Sequence, residues 1–188
     1  VNRWQQPRSL DEAKRAAWDQ DDWDEGIAHC LGMIEKAMPA TTYGTALDFG
    51  AGPARMTRPL QARHPQWRVV GYEPNRQMHD RDYYPMIAHL TMRPQYDVVY
   101  STLVFQHLDA PDKLCALADI RRVLNDDGIF RLQFVNTSHG DATGPLSYPI
   151  DRNAMALITS WLGLALVDIE DDSKYPTWSW LTARKQPQ

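Results

Sequence analysis

Cysteine is scarce: the 188 residues hold two, Cys30 and Cys115. Both fall in expected helices and without metal-ligand spacing. This excludes a disulfide framework, gives no reason to expect a metal, and points to a reduced, cytoplasmic protein. No apolar run approaches about 18 residues, so a membrane span is excluded. The opening residues Val1-Asn2-Arg3-Trp4 lack the apolar stretch of a signal peptide. Positive charge is not in excess: 20 Lys and Arg stand against 24 Asp and Glu, a formal net charge of −4. The chain therefore has no global attraction to nucleic acid phosphates. Internal repeats and low-complexity linkers are missing too. What remains is ordinary globular usage, 43% hydrophobic and 23% charged, which fits one domain over residues 1–188.

Against that background one stretch stands out: Ala46-Leu47-Asp48-Phe49-Gly50-Ala51-Gly52-Pro53-Ala54-Arg55. It reads as a short buried strand, a glycine turn and the start of a helix. Gly50 and Gly52 remove side chains where backbone approaches a ligand and where positive φ is needed. The helix from about Ala54 points free N–H groups into the same crevice. Glu73 ends a second apolar run, Trp67 to Tyr72, about 20 residues on, where a nucleotide-binding fold places an acid on a ribose. Arg55 stands where a dinucleotide fingerprint wants its third glycine, and no Gly-Lys-Ser/Thr follows. Both the pyrophosphate reading and the P-loop are thereby disfavoured.

The rest of the chain alternates. Residues 9–38 read as helix, opened by a Ser9/Glu12 capping box and carrying Ile27, Cys30, Leu31, Ile34 and Met38 at helical spacing until Pro39. Strands are expected at 46–49, 69–72, briefly near 85–90, and at 97–101, 129–135, 164–170 and 177–185. Helices are expected at 55–64, from Pro111 to Leu124, and at 152–162. The second of these carries Leu114, Leu117, Ile120 and Leu124 on one side and buries Cys115. Strands alternating with helices imply an α/β protein with a parallel sheet covered on both faces.

Four segments carry a family resemblance. Asp-Phe-Gly-Ala-Gly-Pro-Ala-Arg (48–55) resembles the first motif of the class I S-adenosylmethionine-dependent methyltransferases. Val-Val-Gly-Tyr-Glu-Pro-Asn (69–75) is similar to their second motif. Tyr96 to Leu108 resembles their fourth strand and its loop, and Ile120 to Phe130 the helix and turn into the fifth strand. The resemblance spans about residues 45–185. It implies a Rossmann-like, doubly wound and mostly parallel seven-stranded sheet with an antiparallel C-terminal hairpin. A helical N-terminal cap over 1–40 would precede the α/β core at 41–188.

The resemblance also implies S-adenosylmethionine as cofactor, S-adenosylhomocysteine as product, and cofactor contacts from Asp48, Gly50, Ala51, Gly52, Arg55, Glu73, Pro74, Ser101, Thr102 and Leu103. Asp48 either meets the cofactor's methionine end or braces the loop. Arg55 either binds a carboxylate or is a helix-surface cation. Ser101, Thr102 and Leu103 lie beside the methyl group or simply pack. His107 is either a general base or a structural histidine. Trp18, Trp23, Asn136, His139 and Tyr148 are the candidate acceptor contacts, with the N-terminal tryptophans read as a lid or as core. Relatives often hold the adenine amine with an acid after the third strand. Met86 to Met92 holds none, and Asp80 and Asp82 come early, so Met86, Ile87 and Leu90 are left as apolar adenine contacts.

The expected function is transfer of the sulfonium methyl to a small organic acceptor, an activity of the EC 2.1.1 type, by a monomer or homodimer. No Asn/Asp-Pro-Pro-Tyr/Phe segment follows the fourth strand and no cysteine is placed as a nucleophile, so nucleic-acid methylation is disfavoured, and a protein acceptor also ranks below a small molecule. The alternatives are a non-catalytic or regulatory relative that keeps the pocket, and a nicotinamide dehydrogenase.

Overall fold

The computed structural model describes residues 23–79, 85–91, 93–137 and 148–187. The expected capping box at Ser9 and Glu12, together with Trp18, Asp80, Asp82 and His139, lies outside the described residues. Helix α1 (Trp23–Glu35) precedes β1 (Gly44–Phe49), α2 (Thr57–Arg63), β2 (Trp67–Tyr72), β3 (Met86–Ile87) and β4 (Tyr96–Ser101). Then follow α3 (Ala110–Val123), β5 (Leu124–Val135), α4 (Arg152–Trp161), β6 (Leu164–Asp171) and β7 (Trp178–Lys185). Among the described residues these strands form one seven-stranded sheet in the order β3-β2-β1-β4-β5-β7-β6. The first five are parallel, and β7 runs antiparallel between β5 and β6. The α/β class and the closing hairpin are as the sequence implies.

The sheet buries both faces. On one, Leu47, Val70, Val99, Phe130 and Leu132 pack against Leu117 and Ile120 of α3 and Met155 of α4. On the other, Ala46, Val69, Val98, Tyr100 and Trp180 pack against Cys30, Leu31 and Ile34 of α1 and Leu60 of α2. Each such side chain contributes roughly 1.5–3 kcal/mol of burial. One cation anchors α1 to the sheet. Arg131 on β5, only 2% exposed, donates from Nε to the Met33 carbonyl at 2.9 Å and from its other nitrogens to Thr182 and Glu170. It also lies over the Trp180 ring. In the turn between β6 and β7 one acid turns inward. Asp172 is buried and accepts from Trp180 Nε1 at 2.7 Å, while His29 of α1 lies 2.8 Å away.

Several local expectations change. Helix α1 ends at Glu35 in tight turns through Met38, before Pro39 is reached. Helix α2 begins at Thr57 rather than Arg55, after a run of turns in which Ala54 takes a left-handed φ of 61°. The fifth strand starts at Leu124, which already pairs with Tyr96. Asp127 at φ 61° and Gly128 then form a bulge within the strand instead of a turn ahead of it. Cys30, on the apolar stripe of α1, is fully buried, and that burial pushes its thiol up to about 12. Cys115, expected inside, is exposed, and Leu114 also points outward. Among the described residues no helix is long and apolar enough to cross a membrane.

Candidate cofactor site

Strands β1 and β4 are neighbours, so the chain leaves the sheet in opposite directions on either side of this pair. That switch point opens a crevice at the strands' C-terminal ends. A cavity of about 520 Å³ lies there, within the roughly 300–1,000 Å³ of small-molecule sites.

Its floor is the glycine loop. The N–H groups of Gly50 and Ala51 both donate to the Tyr72 carbonyl, at 2.8 and 2.9 Å, tying the loop to the end of β2. Gly50 has φ 82°, and a Cβ there would meet Val104 Cγ2 at 2.4 Å. Only glycine serves both demands. Ala54 takes a left-handed φ of 61° without that freedom, at a cost of about 1–2 kcal/mol.

Glu73 joins the two loops. Its Oε2 accepts from Gly52 N at 3.1 Å and its Oε1 from Asn75 N at 2.9 Å. Each oxygen keeps a further lone pair, enough for two vicinal hydroxyls. Burial raises its pKa, and the two backbone donors hold the rise back. Asp48 is buried at the base of the crevice and accepts from Thr57 Oγ1 at 2.7 Å. Burial lifts its carboxyl to about 7, against the opposing pull of the Thr57 and Tyr100 hydroxyls. Arg55 lines the same cavity, its pKa lowered by burial to about 10. It is still cationic at neutral pH and suited to a carboxylate.

Thr102, Leu103 and Val104 form the wall after β4, and a 3₁₀ turn, Phe105–His107, brings Gln106 and His107 to the rim. Gln106 Nε2 lies 3.1 Å from His107 Nε2. With the amide donating, the ring accepts there and carries its proton on Nδ1. The far wall is α3, which presents Asp112, Cys115 and Asp119. Among the described residues no group of three or more His, Cys, Asp or Glu is placed to hold a metal.

The structure thus gathers Asp48, Gly50, Ala51, Gly52, Arg55, Glu73, Pro74, Thr102, Leu103 and His107 around one cavity. Ser101 is not among its lining residues; the hydroxyl is spent on the Phe49 carbonyl at 2.8 Å. Asn136 is also buried, its amide donating to Ser179 Oγ. Tyr148 packs outside the rim, where its N–H donates to the Gln106 carbonyl at 2.7 Å. The backbone of Trp23 opens α1. Met86 seats against Gly71, and Ile87 and Leu90 pack into the core, so none of the three lines the cavity. Tyr72, Asn75 and Met78 do so instead, together with the α3 face. Sequence reasoning missed that face, although positions 112, 115 and 119 share a helical side.

A family model described as a methyltransferase domain matches residues 47–130. That stretch is similar to a methyltransferase domain, and the fold of the whole chain is that of the class I S-adenosylmethionine-dependent methyltransferases. By sequence, no curated protein matches it. Solved structures of low sequence identity share the fold. CalO1, a methyltransferase in calicheamicin biosynthesis in its S-adenosylhomocysteine-bound form, is 15% identical with a TM-score of 0.66, over 86% of this chain and 54% of that one. The chain therefore spans about half the length of CalO1. Magnesium protoporphyrin IX methyltransferase from Synechocystis PCC 6803, with bound S-adenosylmethionine, is 14% identical at a TM-score of 0.66, over 96% and 86%. The cyclase SpnF is 13% identical at 0.71, over 92% and 86%.

Proposed function

We propose that this chain binds S-adenosylmethionine in the cavity beside the glycine loop and transfers the methyl group to a small organic acceptor. The observation that carries the reading is Glu73. Its carboxylate bridges the two loops and keeps lone pairs for ribose hydroxyls. Arg55 supplies a cation for the methionine carboxylate, and Asp48 a buried carboxyl that gives up its proton to face the ammonium group. Gly50 and Gly52 let the backbone come close, and Thr102 and Leu103 wall the methyl end.

When bound, the cofactor supplies a methyl already activated by positive sulfur. The protein's part is placement, which is worth roughly 7–11 kcal/mol when two reactants are well oriented. A neutral hydroxyl acceptor also needs a base, and His107 on the rim fills that role once the acceptor displaces the Gln106 amide from its Nε2; an amine or carboxylate acceptor does not. The small-molecule reading draws on CalO1 and the magnesium protoporphyrin enzyme, whose names state such chemistry.

Calorimetric titration with S-adenosylhomocysteine, S-adenosylmethionine and NAD tests the binding. Adenosyl ligands are expected to bind and NAD not. Glu73→Ala should weaken the former by about 10- to 100-fold, the worth of one or two hydrogen bonds to a charged group. Failure of both adenosyl ligands to bind a folded sample would sink the reading. In an acceptor screen with labelled methyl donor, His107→Gln should lower the maximal rate by roughly 10²-fold for a hydroxyl acceptor.

SpnF favours a second reading, because a cyclase with this fold shows that the architecture does not dictate methyl transfer. Binding without methyl transfer to any acceptor would select it.

A further inference from the structure

We infer that Gln133, outside the cavity, is a positioning residue that holds the wall after β4 in its ligand-binding shape. The inference rests on the proposed adenosyl site.

Along β5, Phe130, Leu132 and Phe134 enter the core shared with α3 and α4. Strand alternation turns Gln133 to the opposite face. It is 2% exposed there. Its Oε1 accepts from the Leu103 N–H at 3.2 Å. Its Nε2 is buried and has no hydrogen-bond partner among the described residues. A half-used buried amide is costly, and an apolar side chain of the same size would avoid the cost. What the glutamine provides is the bond to Leu103.

Leu103 needs that bond. The β4–β5 ladder ends at Ser101 paired with Leu132, so no strand partner reaches the Leu103 N–H. Leu103 also sits at φ 61°, a left-handed conformation that a leucine adopts only when its surroundings impose it. The next residue, Val104, covers the glycine loop so closely that a Cβ on Gly50 would lie 2.4 Å from it. The chain of contacts runs from Gln133 through Leu103 and Val104 to Gly50. Releasing its first link lets Leu103 relax and moves Val104 off the loop.

The test is a double-mutant cycle read by S-adenosylhomocysteine titration. Gln133→Met keeps the volume but removes the acceptor. It is expected to weaken binding about tenfold, the scale of the strain released at Leu103. Its thermal midpoint should not fall, because the unpartnered amide goes with it. In a Leu103→Gly background, where positive φ is free, Gln133→Met should change affinity less than twofold. Equal losses in both backgrounds, or a loss of affinity that tracks a fall in midpoint, would overturn the inference. Amide exchange at Leu103 gives a readout that needs no ligand: protection in the wild type should vanish in Gln133→Met, and its persistence would also overturn the inference. A folded wild type that binds no adenosyl ligand would instead remove the site itself, leaving the exchange result to judge Gln133.

Discussion

Asp48 is an acid held where charge is expensive. Burial lifts its folded pKa to about 7, whereas in the unfolded chain it titrates near about 3.9. Between those values the unfolded chain has released its proton and the folded protein has kept it. Stability therefore falls as pH rises from about 4 to about 7 and levels off above. Asp48→Asn keeps a polar group facing Thr57 and removes the titration. Its unfolding free energy should be flatter across that window and higher than wild type above pH 7. Denaturant unfolding at several pH values measures this, and parallel wild-type and variant curves would count against it. A residue's type and spacing revealed which groups gather at the loop, since Gly50, Gly52 and Glu73 are separated by one strand–helix–strand unit. Spacing did not reveal direction. Ser101 and Thr102 are adjacent, yet one spends its hydroxyl on the Phe49 carbonyl and the other lines the cavity.

Among the elements, α1 is joined to the sheet by polar bonds as well as by apolar packing. The Met33 carbonyl near its end, Thr182 of β7 and Glu170 of β6 all converge on Arg131. Burial works to raise the Glu170 carboxyl, but its bonds to Lys36 and Arg131 win and lower it. Arg131→Ala strands a buried carbonyl and hydroxyl and loses the stack on Trp180. The expected cost is about 2–4 kcal/mol, discounted because Glu170 is partly solvated. Glu170→Gln should cost less than about 1 kcal/mol. Chemical denaturation of both variants checks the order; a larger loss from Glu170→Gln would contradict it. Helices and strands with strong periodicity were legible, as Leu117, Ile120 and Leu31 attest. The α3 face at Cys115 was not. The link from β3 to β4 forms no helix among its described residues. The exposure of Cys115 depends on what another part of the chain leaves uncovered, which a helix's own periodicity does not record.

Across the whole molecule the order β3-β2-β1-β4-β5-β7-β6 divides the sheet. The β1 to β4 half comes from one continuous stretch, residues 44–101, and holds the glycine loop and Glu73. The other half is interleaved, with β7 inserted between β5 and β6. That architecture was implied by the family resemblance rather than by any local pattern, because strand order across a sheet depends on contacts far apart in sequence. It also sets an order in time. On a ribosome the cavity-bearing strands emerge before the others, but β5 gains its second neighbour only when residues 178–185 arrive. Until then Phe130 and Leu132 border an open edge, and β6 has no partner between itself and β5. A chain ending at Thr177 should show no cooperative unfolding transition by circular dichroism; a native-like transition would refute this. Strand β7 is the keystone: it is made after both of the strands it joins, and until it arrives the sheet must keep its place vacant.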